Sequence, residues 1–176
     1  SSPQPHVAGW SWGGRIVARF AEQYPGRLSR LALLDPALGG NQTGVTPTGP
    51  WFSGDWDWWH EGRLVTKFSE PAARKALADF VVAHEPHSPA GIRAENARGT
   101  IAADPRRIGC PTLMLYGSDA ARQDYMQGGI PRAEFFERLA ARDKAFVIVP
   151  DCGDYAHLEI PRRRIQRELA DFLLQV

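Results

Sequence analysis

Five residues near the start of the chain, Gly9-Trp10-Ser11-Trp12-Gly13, constrain the fold more than any other stretch. The residues before them, Pro5-His6-Val7-Ala8-Gly9-Trp10, read as a short buried strand. Those from 12 to 24 read as a helix, with Ile16, Val17, Phe20, Ala21 and Tyr24 at helical spacing and Pro25-Gly26 as its stop. A strand that turns straight into a helix at a serine strains the serine backbone and lifts the hydroxyl above the sheet edge. Glycines on both sides suit such a turn, since a Cβ at Gly9 or Gly13 is expected to meet neighbouring backbone. The N–H of Trp12 then lies at the positive end of the helix dipole, where a developing oxyanion would be stabilised. The plain alternative is that Ser11 merely caps the helix, a role with no need of the two glycines.

The rest of the chain alternates in the same way. Leu31-Ala32-Leu33-Leu34 is a continuous apolar run ended by Asp35-Pro36, and suits a strand buried on both faces. Thr112-Leu113-Met114-Leu115-Tyr116 ends at Gly117, and Phe146-Val147-Ile148-Val149 ends at Pro150. Arg132 to Arg142 and Arg162 to Leu174 are amphipathic helices, the second with Ile165, Leu169, Phe172 and Leu173 on one face. The Arg162-Arg163-Arg164 run reads as a solvated helix face. The order implies an α/β fold with a parallel sheet flanked by helices. Residues 39–104 interrupt it. They open on a Gly/Pro/Thr-rich loop, continue through Trp51, Phe52, Trp56, Trp58 and Trp59, and carry helical patterns near 60–69 and 71–84. The Trp cluster suits a small core, an aromatic lid over an apolar substrate or a partner surface. The expected units are 1–38, the insertion 39–104, and 105–176.

Composition narrows the partners. The 176 residues are 43% hydrophobic and 23% charged with net charge +1, which gives no basic field for nucleic acid. No run approaches the length of a membrane span, and no signal peptide is visible. His84 and His87 are close, but Pro86 separates them and no ligand pattern supports a metal. No cofactor is expected. Cys110 precedes its strand and Cys152 follows its own, so parallel strands would hold them too far apart for a disulfide. Two free thiols are expected, and a cytoplasmic location suits the chain better than a secreted one.

The stretches His6-Val7-Ala8-Gly9-Trp10-Ser11-Trp12-Gly13-Gly14, Leu31 to Pro36, Cys110-Pro111 to Gly117, and the tail from Val149 to Pro161 resemble the α/β-hydrolase superfamily. The resemblance covers nearly the whole chain and is weakest in the insertion. It implies the C-terminal half of that fold, with a helical cap inserted after the second strand of this chain. It also implies a serine hydrolase with the chain order nucleophile, acid, histidine. Ser11 would be the nucleophile and Trp12 would lend its N–H to the oxyanion hole. Asp119 is the acid candidate, two residues after Gly117 where the family usually has three. Asp124 and, less directly, Asp35 are alternatives. The family slot for the base, directly after a glycine, reads Gly153-Asp154 here, and His157 follows three residues later. His157 is the base candidate, since an aspartate is a weak base at neutral pH. If His157 is only a structural neighbour, Asp154 would mark a lost base. His60, His84 and His87 fall in the insertion, and His6 is expected in the core.

The family's four earlier strands and its second oxyanion donor have no counterpart in the sequence given. The resemblance therefore implies a partner, an N-terminal half of the same fold on a separate chain. The expected substrate is a small molecule with an ester, thioester, lactone or related acyl bond. Acyl transfer is a near variant. A non-catalytic binding or scaffold protein is the alternative from a different class. A dehalogenase is disfavoured because a carboxylate would stand where Ser11 is.

Overall fold

The structure, a computed structural model, describes residues 4–38, 48–62, 66–119 and 132–174. In chain order its elements are β1 (His6–Trp10), α1 (Trp12–Gln23), β2 (Arg30–Leu34), β3 (Trp51–Ser53), α2 (Trp56–Gly62), α3 (Pro71–His84), β4 (His87–Pro89), α4 (Gly91–Ala97), β5 (Thr112–Gly117), α5 (Arg132–Arg138), β6 (Lys144–Val149) and α6 (Arg162–Leu173). Strands β1, β2, β5 and β6 form a wholly parallel sheet in that spatial order. The insertion leaves after β2 and returns before β5, so the two strands on either side of it pair directly. Its own strands form a small antiparallel pair in which Trp51, Phe52 and Ser53 face Pro89, Ser88 and His87. Neither strand of that pair was expected from the sequence, nor was α4; runs of three residues with proline among them carry no strand pattern.

Alternation along the strands divides the core between the two faces of the sheet. Leu31, Leu33, Met114 and Tyr116 pack on one face under Ala18, Ala21, Phe135 and Leu139 of α1 and the α5 region. Ala32, Leu34, Leu113, Leu115 and Val149 pack on the other under Ile165 and Phe172 of α6. Continuous apolar strands thus reflect burial on both sides. Cys110 and Cys152 are both free. Cys152 is fully buried beyond β6, and burial pushes its thiol up to about 12. Among the described residues no helix is long and apolar enough to cross a membrane.

Two expectations fail at β1 and α1. His6 and Ala8 are exposed, because among the described residues β1 has one neighbour, β2. On α1 the apolar residues Ile16, Phe20 and Tyr24 are 61%, 40% and 51% exposed. Of the expected face Ala21 is buried and Val17 packs against the core, and Gly14 and Ala18 complete the line that meets the sheet. Small side chains let the helix lie close over β1 and β2.

The glycines show where the approach is tightest. A Cβ on Gly9 would lie 2.5 Å from Val17 Cγ2 and 2.6 Å from the carbonyl oxygen of Gly13. One on Gly14 would lie 2.7 Å from Pro36 Cβ. A Cβ on Gly13 would meet nothing within 4 Å, so the collision expected at Gly13 belongs to Gly14. Gly9→Ala should therefore destabilise the fold by about 1–3 kcal/mol through forced backbone shifts. Gly13→Ala should be neutral or stabilise by up to about 1 kcal/mol, since alanine is the better helix residue. Urea denaturation of the two variants measures the contrast, and equal losses would contradict this packing.

Candidate active site

Parallel strands bring all four carboxyl ends to one edge of the sheet, where open α/β sheets form their binding crevices. Backbone strain collects at this edge. Among the described residues the non-glycine residues with left-handed φ are Ser11 after β1 (50°), Asp35 after β2 (37°) and Asp151 after β6 (59°). Such conformations cost about 1–3 kcal/mol each and persist only where their surroundings over-determine them.

At Ser11 the surroundings are hydrogen bonds. Its N–H donates to the carbonyl of Leu34 at 3.0 Å, and its own carbonyl accepts from Ala37 at 2.9 Å and Arg15 at 3.3 Å. The residue is thereby held between the start of α1 and the chain leaving β2. Ser11 occupies the cap position of α1, yet its hydroxyl makes no cap bond. The hydroxyl is left for other work, and the Trp12 N–H beside it is the first of the helix.

Asp35 is buried at 6% exposure, and its Oδ1 accepts the N–H of Gly117 at 3.2 Å. Its own N–H donates to Leu115 at 2.8 Å, so it ties the ends of β2 and β5 together. Burial holds its carboxyl well above the usual range, aided by the charges of Asp154 and Glu159 and opposed by the Gly117 N–H and Arg132. Asp119 donates its N–H to Cys152 at 3.0 Å, while its carboxylate pairs at 3.3 Å with Lys67 of the insertion. Asp124 lies outside the described residues.

His157 stands in a loop fastened on several sides. Trp10 donates its indole N–H to the Asp154 carbonyl at 2.7 Å, which joins the loop to β1. Ser118 Oγ accepts the Asp151 N–H at 3.1 Å, which joins it to the end of β5. Glu159 is fully buried, and its Oε2 accepts the Gly153 N–H at 2.6 Å. The His157 ring is half-buried, edge-on to Trp10 with centroids 4.5 Å apart. Burial lowers its pKa from the usual imidazole value, with no contribution from a carboxylate.

The loops bearing Ser11, Asp119 and His157 are therefore joined to one another by backbone, hydroxyl and indole hydrogen bonds. Asp154, in the slot after Gly153, offers its carbonyl to the β1 side. Sequence reasoning missed Trp10, which appeared only as a variable position of the serine motif. It also missed Glu159, whose one signal is an acid between Leu158 and Ile160. Among the described residues no group of three or more His, Cys, Asp or Glu could hold a metal ion.

Comparison with known proteins agrees with this architecture. The chain matches the Alpha/beta hydrolase family over residues 1–167. It is 25% identical over 191 residues to a pimeloyl-[acyl-carrier protein] methyl ester esterase of Nitrosomonas europaea, covering 89% of this chain and 67% of that protein. Its fold is similar to the Paleococcus ferrophilus monoacylglycerol lipase, with TM-score 0.69 and 18% identity, covering 97% of this chain and 68% of the other. A thermophilic esterase from Thermogutta terrifontis shares the fold with TM-score 0.57 and 21% identity over 96% of this chain and 65% of its own. The chain thus spans about two thirds of the length of these proteins. With its parallel sheet, its strand–serine–helix turn and a family match across nearly its whole length, this chain belongs to the alpha/beta hydrolase family.

Proposed function

We propose that the protein is a serine hydrolase that cleaves a carboxylic ester or related acyl bond through an acyl-enzyme on Ser11. The observation that carries this reading is the Ser11 turn: strained backbone, a hydroxyl that does not cap its helix, and a helix N-terminus beside it. The Ser11 Oγ attacks the acyl carbon as His157 takes its proton, and the oxyanion forms against the Trp12 N–H. His157 returns the proton to the leaving alkoxide. Water then attacks the acyl carbon with His157 again as base, which frees the acid and restores Ser11. Asp119 orients the imidazole. Its carboxylate also pairs with Lys67 of the insertion. Catalytic hydrogen bonds commonly tighten only once substrate is bound.

The esterase named among the relatives supports ester chemistry, and the aromatic residues of the insertion support an apolar acyl group under a cap. Among the described residues the outer edge of β1 has no neighbour, and we assign that edge to pairing with a further strand. Asp154 in the slot after Gly153, and an acid only two residues after Gly117, favour a second reading, a binding protein built on the same fold.

Hydrolysis of p-nitrophenyl butyrate separates the two readings. Ser11→Ala and His157→Ala should each lower kcat by about 10³-fold or more with little change in KM. Equal activity in wild type and both variants would refute the mechanism. The pH dependence follows from burial of His157. The base works as the neutral imidazole, and burial favours that form, so activity persists to lower pH than an exposed histidine allows. The acid limb of kcat/KM should fall below about pH 6.5. A limb above that value would assign the titration to another group.

A further inference from the structure

The insertion meets the Ser11 turn through a buried cation. Arg15 lies on the first turn of α1, and its side chain is only 7% exposed. Its Nη2 donates to Glu95 Oε2 of α4 at 3.1 Å and to the carbonyl of Thr100 at 3.0 Å. On the same short helix Arg93 lays its guanidinium over the ring of Trp12 at 4.9 Å and over Phe52 of β3 at 3.6 Å. The chain then runs to Ala102, whose N–H donates to Leu38 at 2.8 Å. Residues 93–102 thus touch the residue after Ser11, the first turn of α1, and the chain leaving β2.

A buried guanidinium is costly unless its donors are received, and a charged acceptor receives them best. Two of the acceptors of Arg15, Glu95 and Thr100, belong to the insertion. Moving residues 95–100 away would break both of these charge-assisted bonds to a cation that is 7% exposed. The charge therefore favours one seating of the insertion, whereas apolar contact alone would tolerate sliding.

We propose that Arg15 is a positioning residue that latches residues 91–100 of the insertion onto the Ser11 helix, and so sets the space above Ser11 for the acyl group. The latch touches no reacting atom. Its kinetic consequence rests on the hydrolase reading: Ser11 reactivity comes from the turn, while the fit of a large acyl group comes from the seating of the insertion. Lysine keeps the charge but lacks the planar fork, so it can replace the function only in part.

Hydrogen exchange and ester kinetics of wild type, Arg15→Met, Arg15→Lys and Glu95→Gln test this. Arg15→Met should speed amide exchange across 91–100 and leave β2 and β5 protected. It should raise KM for p-nitrophenyl decanoate about tenfold, with kcat for p-nitrophenyl acetate within about twofold. Arg15→Lys should recover part of both effects, and Glu95→Gln should show them in weaker form. If Arg15→Met does not fold, the half-exposed Glu95 site carries the same test through Glu95→Ala. Unchanged exchange at 91–100 overturns the latch, as does an equal loss of kcat on both esters. An inactive wild type would refute the hydrolase reading, and the exchange measurement would still decide the latch.

Discussion

The conformation of Ser11 is set by three hydrogen bonds and two glycines, and the rest of the site is arranged around it. Its N–H is committed to Leu34 and its carbonyl to Ala37 and Arg15, so the residue cannot relax without unseating both β2 and α1. Gly9 and Gly14 let α1 lie against the strand end closely enough for those bonds to form. A left-handed serine costs energy in isolation. Here the surrounding bonds hold it in place, which leaves the hydroxyl standing at the sheet edge with no bond to its own helix.

The same edge carries buried acids. Asp35 and Glu159 each spend a carboxylate oxygen on a backbone N–H, of Gly117 and Gly153 respectively. Both carboxylates fix loops that bear candidate residues. Gly117 sits so tightly against the backbone of Cys152 and Gly153 that a side chain there would displace the His157 loop. Trp10 closes the ring from the other side through the Asp154 carbonyl and its contact with His157. The site is thus held by backbone-directed bonds, with the insertion laid over it by Arg15, Arg93 and Lys67.

The sheet was legible because its strands are apolar on both faces and end on Asp-Pro, Gly or Pro. The Ser11 turn was legible because glycines bracket it between a strand and a helix. What escaped the sequence depends on depth and partners. The buried residues of α1 include Gly14, Ala18, Arg15 and Glu22, which a periodicity of large apolar residues cannot reveal. The burial of Arg15 has no local signal in the sequence, since the acceptors Glu95 and Thr100 lie about eighty residues away. His6 looked internal because an edge strand and a central one share the same short apolar pattern. The short β3–β4 pair has too few residues to show a period.

The proposed role of Ser11 is that of the reactive nucleophile at this edge. Incubation with diisopropyl fluorophosphate followed by peptide mapping addresses it, because covalent capture reports the attacking atom itself. One phosphoryl adduct per chain is expected, on the peptide containing Ser11, and its loss in denatured protein. An adduct on a different residue of the native protein, or none under conditions that label a known serine esterase, would contradict it.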